Sequence, residues 1–175
     1  MNIWHDMEDS RIGVNKFMAV IEIGKKGNVK YELDKKTGML LVDRVLYTST
    51  HYPANYGFIP RTYAKDDDPL DVLVLCSETL LPMSLVEVKP IGVLIMVDSE
   101  KPDEKIIGVP TADPEYADYE SIEELPTHIS KEISHFFRVY KELEGKETAV
   151  KEVYGVEEAK KIIQEAMDHY QEKFV

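Results

Sequence analysis

The segment Asp66-Asp67-Asp68-Pro69-Leu70-Asp71 packs four carboxylates into six residues, just ahead of the apolar run Val72-Leu73-Val74-Leu75. Carboxylates at this density repel one another, so a loop held in one shape needs a counter-charge. A hard divalent cation supplies it, and oxygen ligands of this kind suit Mg²⁺ or Mn²⁺. Pro69 stiffens the loop, and Asp71 stands where a strand begins. A solvated acidic loop would have the same composition, so the run alone leaves both readings open. An EF-hand is excluded: it needs an acid or Asn at its fifth position and Gly at its sixth, where this chain has Leu70 and Asp71.

A second acidic locus follows. Residues 98–124 carry ten acids against two bases, a local sum of −8. Glu115, Asp118, Glu120, Glu123 and Glu124 read as surface. Asp98 and Asp103 flank Ser99-Glu100-Lys101-Pro102 at strand ends, where a barrel mouth would lie. Cationic and phenolic groups complete the inventory. Lys30 and Glu32 share the polar face of one strand, with Glu22 on a strand beside it. Arg44 interrupts an apolar strand, where a charge is costly without a partner or ligand. Tyr52-Pro53-Ala54-Asn55-Tyr56-Gly57 sets two tyrosines in a loop, and Tyr140-Lys141 ends a helix. Singly, these residues read as salt-bridge partners and core or rim tyrosines. Together, carboxylates and donors could hold a metal and a polyanionic phosphate at once.

Other chemistries lack their parts. There is no G-x-x-x-x-G-K-[ST], G-x-S-x-G, H-E-x-x-H or C-x-x-C in the chain. The histidines are scattered. His128 and His135 lie seven apart on one helix, too far for an i,i+4 zinc pair, and read as surface or interface. Cys76 ends an apolar strand and reads as core.

The elements that must position these groups change period along the chain. Strands are expected at Phe17–Ile23, Val29–Asp34, Met39–Tyr47, Val72–Cys76, Val86–Val97 and Lys105–Pro110, with Lys35-Lys36-Thr37-Gly38 turning a hairpin. Short strands with Gly/Pro turns favour a closed barrel over a parallel sheet. From Ile129 to Leu143 apolar residues recur at helical spacing, with Thr127 as the expected N-cap after Pro126. A second helix follows Gly155, its stripe running from Val156 to Tyr170. The expected fold class is α+β, mainly β. One domain spans 1–175, with a barrel over about 17–112 and helices over about 127–143 and 156–173 packed outside it.

A chain of 175 residues fits one domain. Its net charge of −12 argues against a nucleic-acid or anionic-membrane binder, since those hold phosphates with excess Lys and Arg. One cysteine cannot form an intrachain disulfide, which favours a reducing compartment. The longest apolar run, Ile91–Val97, has seven residues, against the ~20 of a membrane helix. A soluble, cytoplasmic protein is expected.

Taken in order and spacing, these segments resemble the soluble family I inorganic pyrophosphatases of prokaryotic type. The segment Asp66–Asp71 with Val72 matches that family's signature. Lys30-Tyr31-Glu32, Val42-Asp43-Arg44, Tyr52 to Gly57, Pro90-Ile91-Gly92-Val93 and His135-Phe136-Phe137 to Tyr140-Lys141 fall in register around it, from about Phe17 to Gly155. The resemblance implies a five-stranded, OB-like barrel and Mg²⁺-dependent hydrolysis of pyrophosphate by a metal-activated water, with Mn²⁺ or another divalent ion as a substitute. It implies metal ligands at Asp66, Asp71 and Asp103, helped by Asp98, and a general base at Asp68. It implies phosphate contacts at Lys30, Arg44, Tyr56, Tyr140 and Lys141, with Glu22, Glu32, Tyr52 and Lys105 in support. Some relatives carry a second acid after the position of Asp98, where this chain has Ser99. The compact length resembles members that are commonly homohexamers.

Two other classes compete with this reading. An OB-type module for single-stranded nucleic acid would need basic residues around its tyrosines, which this chain lacks. A metal-buffering protein without activity would need no base or phosphate donors, and every one of those groups is present.

Overall fold

The computed structural model describes all 175 residues. The chain passes through a short helix α1 (Ile3–Asp6) and strands β1 (Phe17–Ile23), β2 (Val29–Leu33), β3 (Leu40–Val45), β4 (Asn55–Ile59) and β5 (Leu70–Val74). Strands β6 (Leu85–Asp98) and β7 (Lys101–Pro110) follow, then helix α2 (Thr127–Val139), strand β8 (Thr148–Tyr154) and helix α3 (Val156–Phe174).

Strand β1 is apolar except for Glu22 because it is paired on both edges, with β4 on one side and β6 on the other. The order β1-β4-β5-β7-β6 is closed by the β1–β6 pairing into a ring of five strands, as expected. Only β5 and β7 run parallel. The long β6 also carries β8 on its C-terminal half. Strands β2 and β3 form a separate hairpin. Where β4 crosses β1, a Cβ on Gly57 would lie 1.8 Å from the Val20 carbonyl oxygen, so the two backbones approach as only glycine permits.

Side chains alternate across a strand, and here each face has its own helix. Leu73, Leu94, Met96, Ile107 and Val109 pack with Ile133, Phe136, Phe137 and Tyr140 of the α2 segment. Val72, Val74, Val93 and Ile106 pack with Ala159, Ile162, Ile163 and Ala166 of α3. Burying each large side chain contributes roughly 1.5–3 kcal/mol, so both helices are held mainly by their stripes. The same alternation puts Asp71, Asp98, Asp103 and Lys105 on the α2 face, each an even number of residues from a member of the first layer.

Several expectations are corrected. Tyr52 to Gly57 is not wholly a loop, since Asn55–Ile59 is the fully buried strand β4. Strand β8 lies between the two expected helices, where no element was expected. Helix α2 stops at Val139 instead of 143, and Tyr140 is its C-cap. Thr127 is the first helical residue and not the N-cap, a position Pro126 holds without a side-chain bond. Arg44 does not interrupt a buried strand: Leu41, Val42 and Val45 of β3 are exposed. The acids at 115, 118, 120, 123 and 124 are exposed, as expected, and His128 meets only Glu132, at 3.1 Å.

Candidate active site

The strand ends on the α2 face open into a cavity of about 530 Å³. At its floor lies Lys105, 2% exposed. Its Nζ donates to Asp71 Oδ2 at 2.9 Å, to Asp103 Oδ1 at 3.2 Å and to the Tyr56 hydroxyl at 2.9 Å. It also stands over the rings of Tyr56 and Phe137, 5.1 and 4.9 Å from their centroids. Strand register builds this knot. Asp71 on β5 is the parallel partner of Lys105 on β7, and Asp103 is two residues away on the same face. The Tyr56 hydroxyl in turn donates to Asp71 Oδ2 at 2.7 Å. Burial alone would lower the Lys105 pKa, but Asp103 and Asp71 hold it well above the ordinary lysine value. Burial, then the Asp71 charge, drives Tyr56 well above its usual value, and it stays protonated.

Three further segments line the cavity. The acidic loop brings Asp66 and Asp68 to one side. Burial, then repulsion from Asp71, Asp103 and Asp68, pushes Asp66 up to about 7. Burial also raises Asp103, against the pull of Lys105. Lys30 and Glu32 of β2, 3.2 Å apart, also line the cavity, as does Glu22 of β1. Glu22 accepts the Leu33 amide at 2.9 Å, and burial pushes its carboxyl up to about 8. The end of α2 delivers the third side: Tyr140 is buried, and Lys141 ion-pairs with Asp98 across the mouth. Burial would raise Asp98, but the Lys141 ammonium holds it below the ordinary carboxylate range.

The cavity thus gathers all but two of the residues expected at a site. Tyr52 lies behind the wall, 1% exposed, packed on Tyr56 and Phe136 with centroids 5.3 and 4.7 Å apart. Arg44 is the β3 partner of Lys30, yet its guanidinium turns away to Asp43 and to Glu144, the latter 2.8 Å from Nε. Its Nη2 is buried and has no partner. Lys35, read from the sequence only as a turn residue, lines the cavity and ion-pairs with Asp68. Hairpin alternation can flag a turn, but nothing local shows that this turn overhangs a loop 33 residues away.

Could these residues hold a divalent cation? No three acidic side chains are drawn tightly enough to enclose an ion; Asp68, Asp71, Asp98 and Asp103 each lean on a lysine instead, and Asp66 accepts only the Asp68 amide, at 3.3 Å. The donor set nonetheless fits a hard cation. Asp66, Asp71, Asp98 and Asp103 offer only oxygen ligands, and burial together with mutual repulsion raises Asp66 and Asp103, a conflict that a divalent charge relieves. A pocket lined by carboxylates interleaved with ammonium and phenol donors suits a metal-bound polyphosphate.

Comparison with known proteins points the same way. The family model described as inorganic pyrophosphatase matches residues 19–171. The chain is 48% identical over 172 residues to soluble inorganic pyrophosphatase 2 of Chlamydomonas reinhardtii, covering 98% of this chain and 90% of that one. The solved inorganic pyrophosphatase of Helicobacter pylori superposes with a TM-score of 0.91 at 42% identity, covering 95% of this chain and 99% of that one. That of Thermus thermophilus superposes with a TM-score of 0.91 at 35% identity, over 98% and 99% respectively.

Proposed function

The chain belongs to the inorganic pyrophosphatase family and hydrolyses inorganic diphosphate to two orthophosphates, and from that premise we propose that turnover depends on Mg²⁺, with Asp68 as general base. The observation that carries this reading is the single cavity in which the acidic loop faces lysine and tyrosine donors. Asp66, Asp71 and Asp103 would hold the metal, with Asp98 assisting, and Mn²⁺ or another divalent ion would substitute. When bound, such cations acidify water and neutralise phosphoryl charge.

The chain's own groups do the rest. Asp68, at the mouth of the acidic loop, accepts the proton of the attacking water. Lys30 and Lys141 neutralise the oxygens of the two phosphoryl groups, and the Tyr140 and Tyr56 hydroxyls orient them. Arg44 swings from Asp43 to the substrate, bringing an Nη2 donor that is otherwise unpartnered. Lys105 binds no substrate in this account: it is saturated by Asp71, Asp103 and Tyr56 and keeps the ligands in place. Glu22, Glu32 and Tyr52 shape the walls.

We also propose a homohexamer in the cytoplasm. The family resemblance supports the assembly, and the lone, buried, unpaired Cys76 supports a reducing compartment.

The role assignment is tested by two variants. Asp68→Asn should cut turnover by roughly 10²–10⁴-fold while Mg²⁺ binding measured by calorimetry stays near the wild-type value. Asp71→Asn should weaken Mg²⁺ binding itself. The reverse pattern would show that base and ligand have been exchanged.

A further inference from the structure

Asp68 is the most exposed carboxylate of the site. Its side chain is 54% exposed, and its only side-chain partner is the Lys35 ammonium, itself 45% exposed. The two meet across the cavity mouth, one from the β2–β3 turn and one from the acidic loop. A half-exposed aspartate with no partner samples several rotamers, only some of which point at a reacting water. Something must therefore set where Lys35 stands.

The N-terminal segment does so. Asn2 Nδ2 donates to the Lys35 carbonyl at 2.9 Å. Gly38, at φ +76°, lets the turn pass so close to the first residue that a Cβ there would lie 2.2 Å from the Met1 carbonyl oxygen. The Lys35 ammonium lies 5.2 Å from the centroid of the Trp4 ring. Trp4 is buried and anchored by its indole N–H, which donates to the Thr62 carbonyl at 2.9 Å. The acidic loop is braced from the same place. Tyr63 donates to Asp67 Oδ1 at 2.8 Å, and its ring packs edge-on against Phe174, 5.4 Å between centroids. Phe174 also packs against Trp4 at 5.2 Å. One aromatic cluster built from both chain ends thus supports the two segments whose charges meet at Asp68.

We propose that Lys35 is a positioning residue for hydrolysis: from a turn clamped by the N-terminal segment, it holds the Asp68 carboxylate over the cavity. This rests on Asp68 being the base. Lys35 acts on turnover through Asp68 and makes no contact with substrate of its own.

The test is a double-mutant cycle, with turnover of diphosphate measured for Lys35→Met, Lys35→Arg, Asp68→Asn and the Lys35→Met/Asp68→Asn pair. Met keeps most of the stem over Trp4 and removes the charge. Because the pair is half exposed, Lys35→Met should lower kcat by about two- to five-fold, with KM unchanged. Lys35→Arg should restore most of the loss. In the Asp68→Asn background Lys35→Met should cost nothing further. The same loss in that background would overturn the proposal, as would a raised KM with kcat unchanged, which would mark Lys35 as a substrate contact. Asp68→Asn with wild-type turnover would instead overturn the base assignment, and this proposal with it.

Discussion

Replacing Lys105 by Met removes the one cation buried among Asp71, Asp103 and Tyr56 while keeping most of the side-chain volume. The Asp71 and Asp103 side chains are only 22% and 11% exposed, so both carboxylates would be left facing each other with little water to screen them. Breaking a buried ion pair by removing one partner costs about 3–5 kcal/mol. The lower end applies here, because Asp71 keeps some solvent and Asp103 already has a raised proton affinity, so part of the repulsion is relieved by protonation. We therefore expect a loss of about 3 kcal/mol in metal-free protein. At a urea slope of roughly 2 kcal/mol per molar, the midpoint should fall by about 1.5 M. Saturating Mg²⁺ should narrow the gap, since the variant's more negative site binds a cation more tightly than the wild-type site does. Urea titrations in chelator and in Mg²⁺, at one protein concentration, read both quantities. A loss under ~1 kcal/mol in chelator would refute the buried-charge argument. So would an equal loss in both conditions.

The other expectations are briefer. Glu22 has a folded-state pKa raised to about 8 from 4.5, so metal-free protein should lose stability as pH rises from about 4.5 to about 8, by at most ~1.4 kcal/mol per pH unit from this group. Asp66, pushed up to about 7, adds a second contribution of the same sign; thermal melts of Glu22→Gln should show a shallower decline, and an unchanged slope would contradict the assignment. Gly57→Ala forces a Cβ into the Val20 backbone, and a loss of at least 1–3 kcal/mol in chemical denaturation is expected; a neutral result would mean that β1 and β4 can move apart. The cavity's cationic donors match a doubly charged phosphoryl at each end, so an organic ester would leave one of them unpaired. With Mg²⁺, kcat/KM for pyrophosphate should exceed that for ATP by orders of magnitude, and a ratio within tenfold would sink this argument.

What could be read along the chain followed from how local each signal was. The acidic run, the first strand, the β2–β3 hairpin and α3 all announce themselves within a dozen residues, by charge density or by period. Strand β4 does not, because Asn55 and Gly57 break its apolar pattern. Only the fold shows why they are there: Asn55 Oδ1 accepts the Lys25 and Leu80 amides at 2.9 Å each, and Gly57 admits β1. Strand β8 is an edge strand paired to β6 alone, and its Lys151 and Glu152 are exposed, so its alternation is weak. At the site, Asp66, Asp68, Asp71, Asp98 and Asp103 could be picked out as candidate groups. The lysines that Asp68, Asp71 and Asp98 lean on could not, since those pairings join elements far apart in sequence. Arg44 shows the same limit, for its partner Glu144 lies beyond α2.

The most direct test of the account is phosphate release from inorganic pyrophosphate by the wild-type protein, first in excess chelator and then after Mg²⁺ is restored. Carboxylates that lean on lysines in the metal-free arrangement cannot by themselves activate water, so turnover should vanish in chelator and return with Mg²⁺. Turnover that survives exhaustive chelation would contradict the claim that the acidic cavity works through a divalent cation.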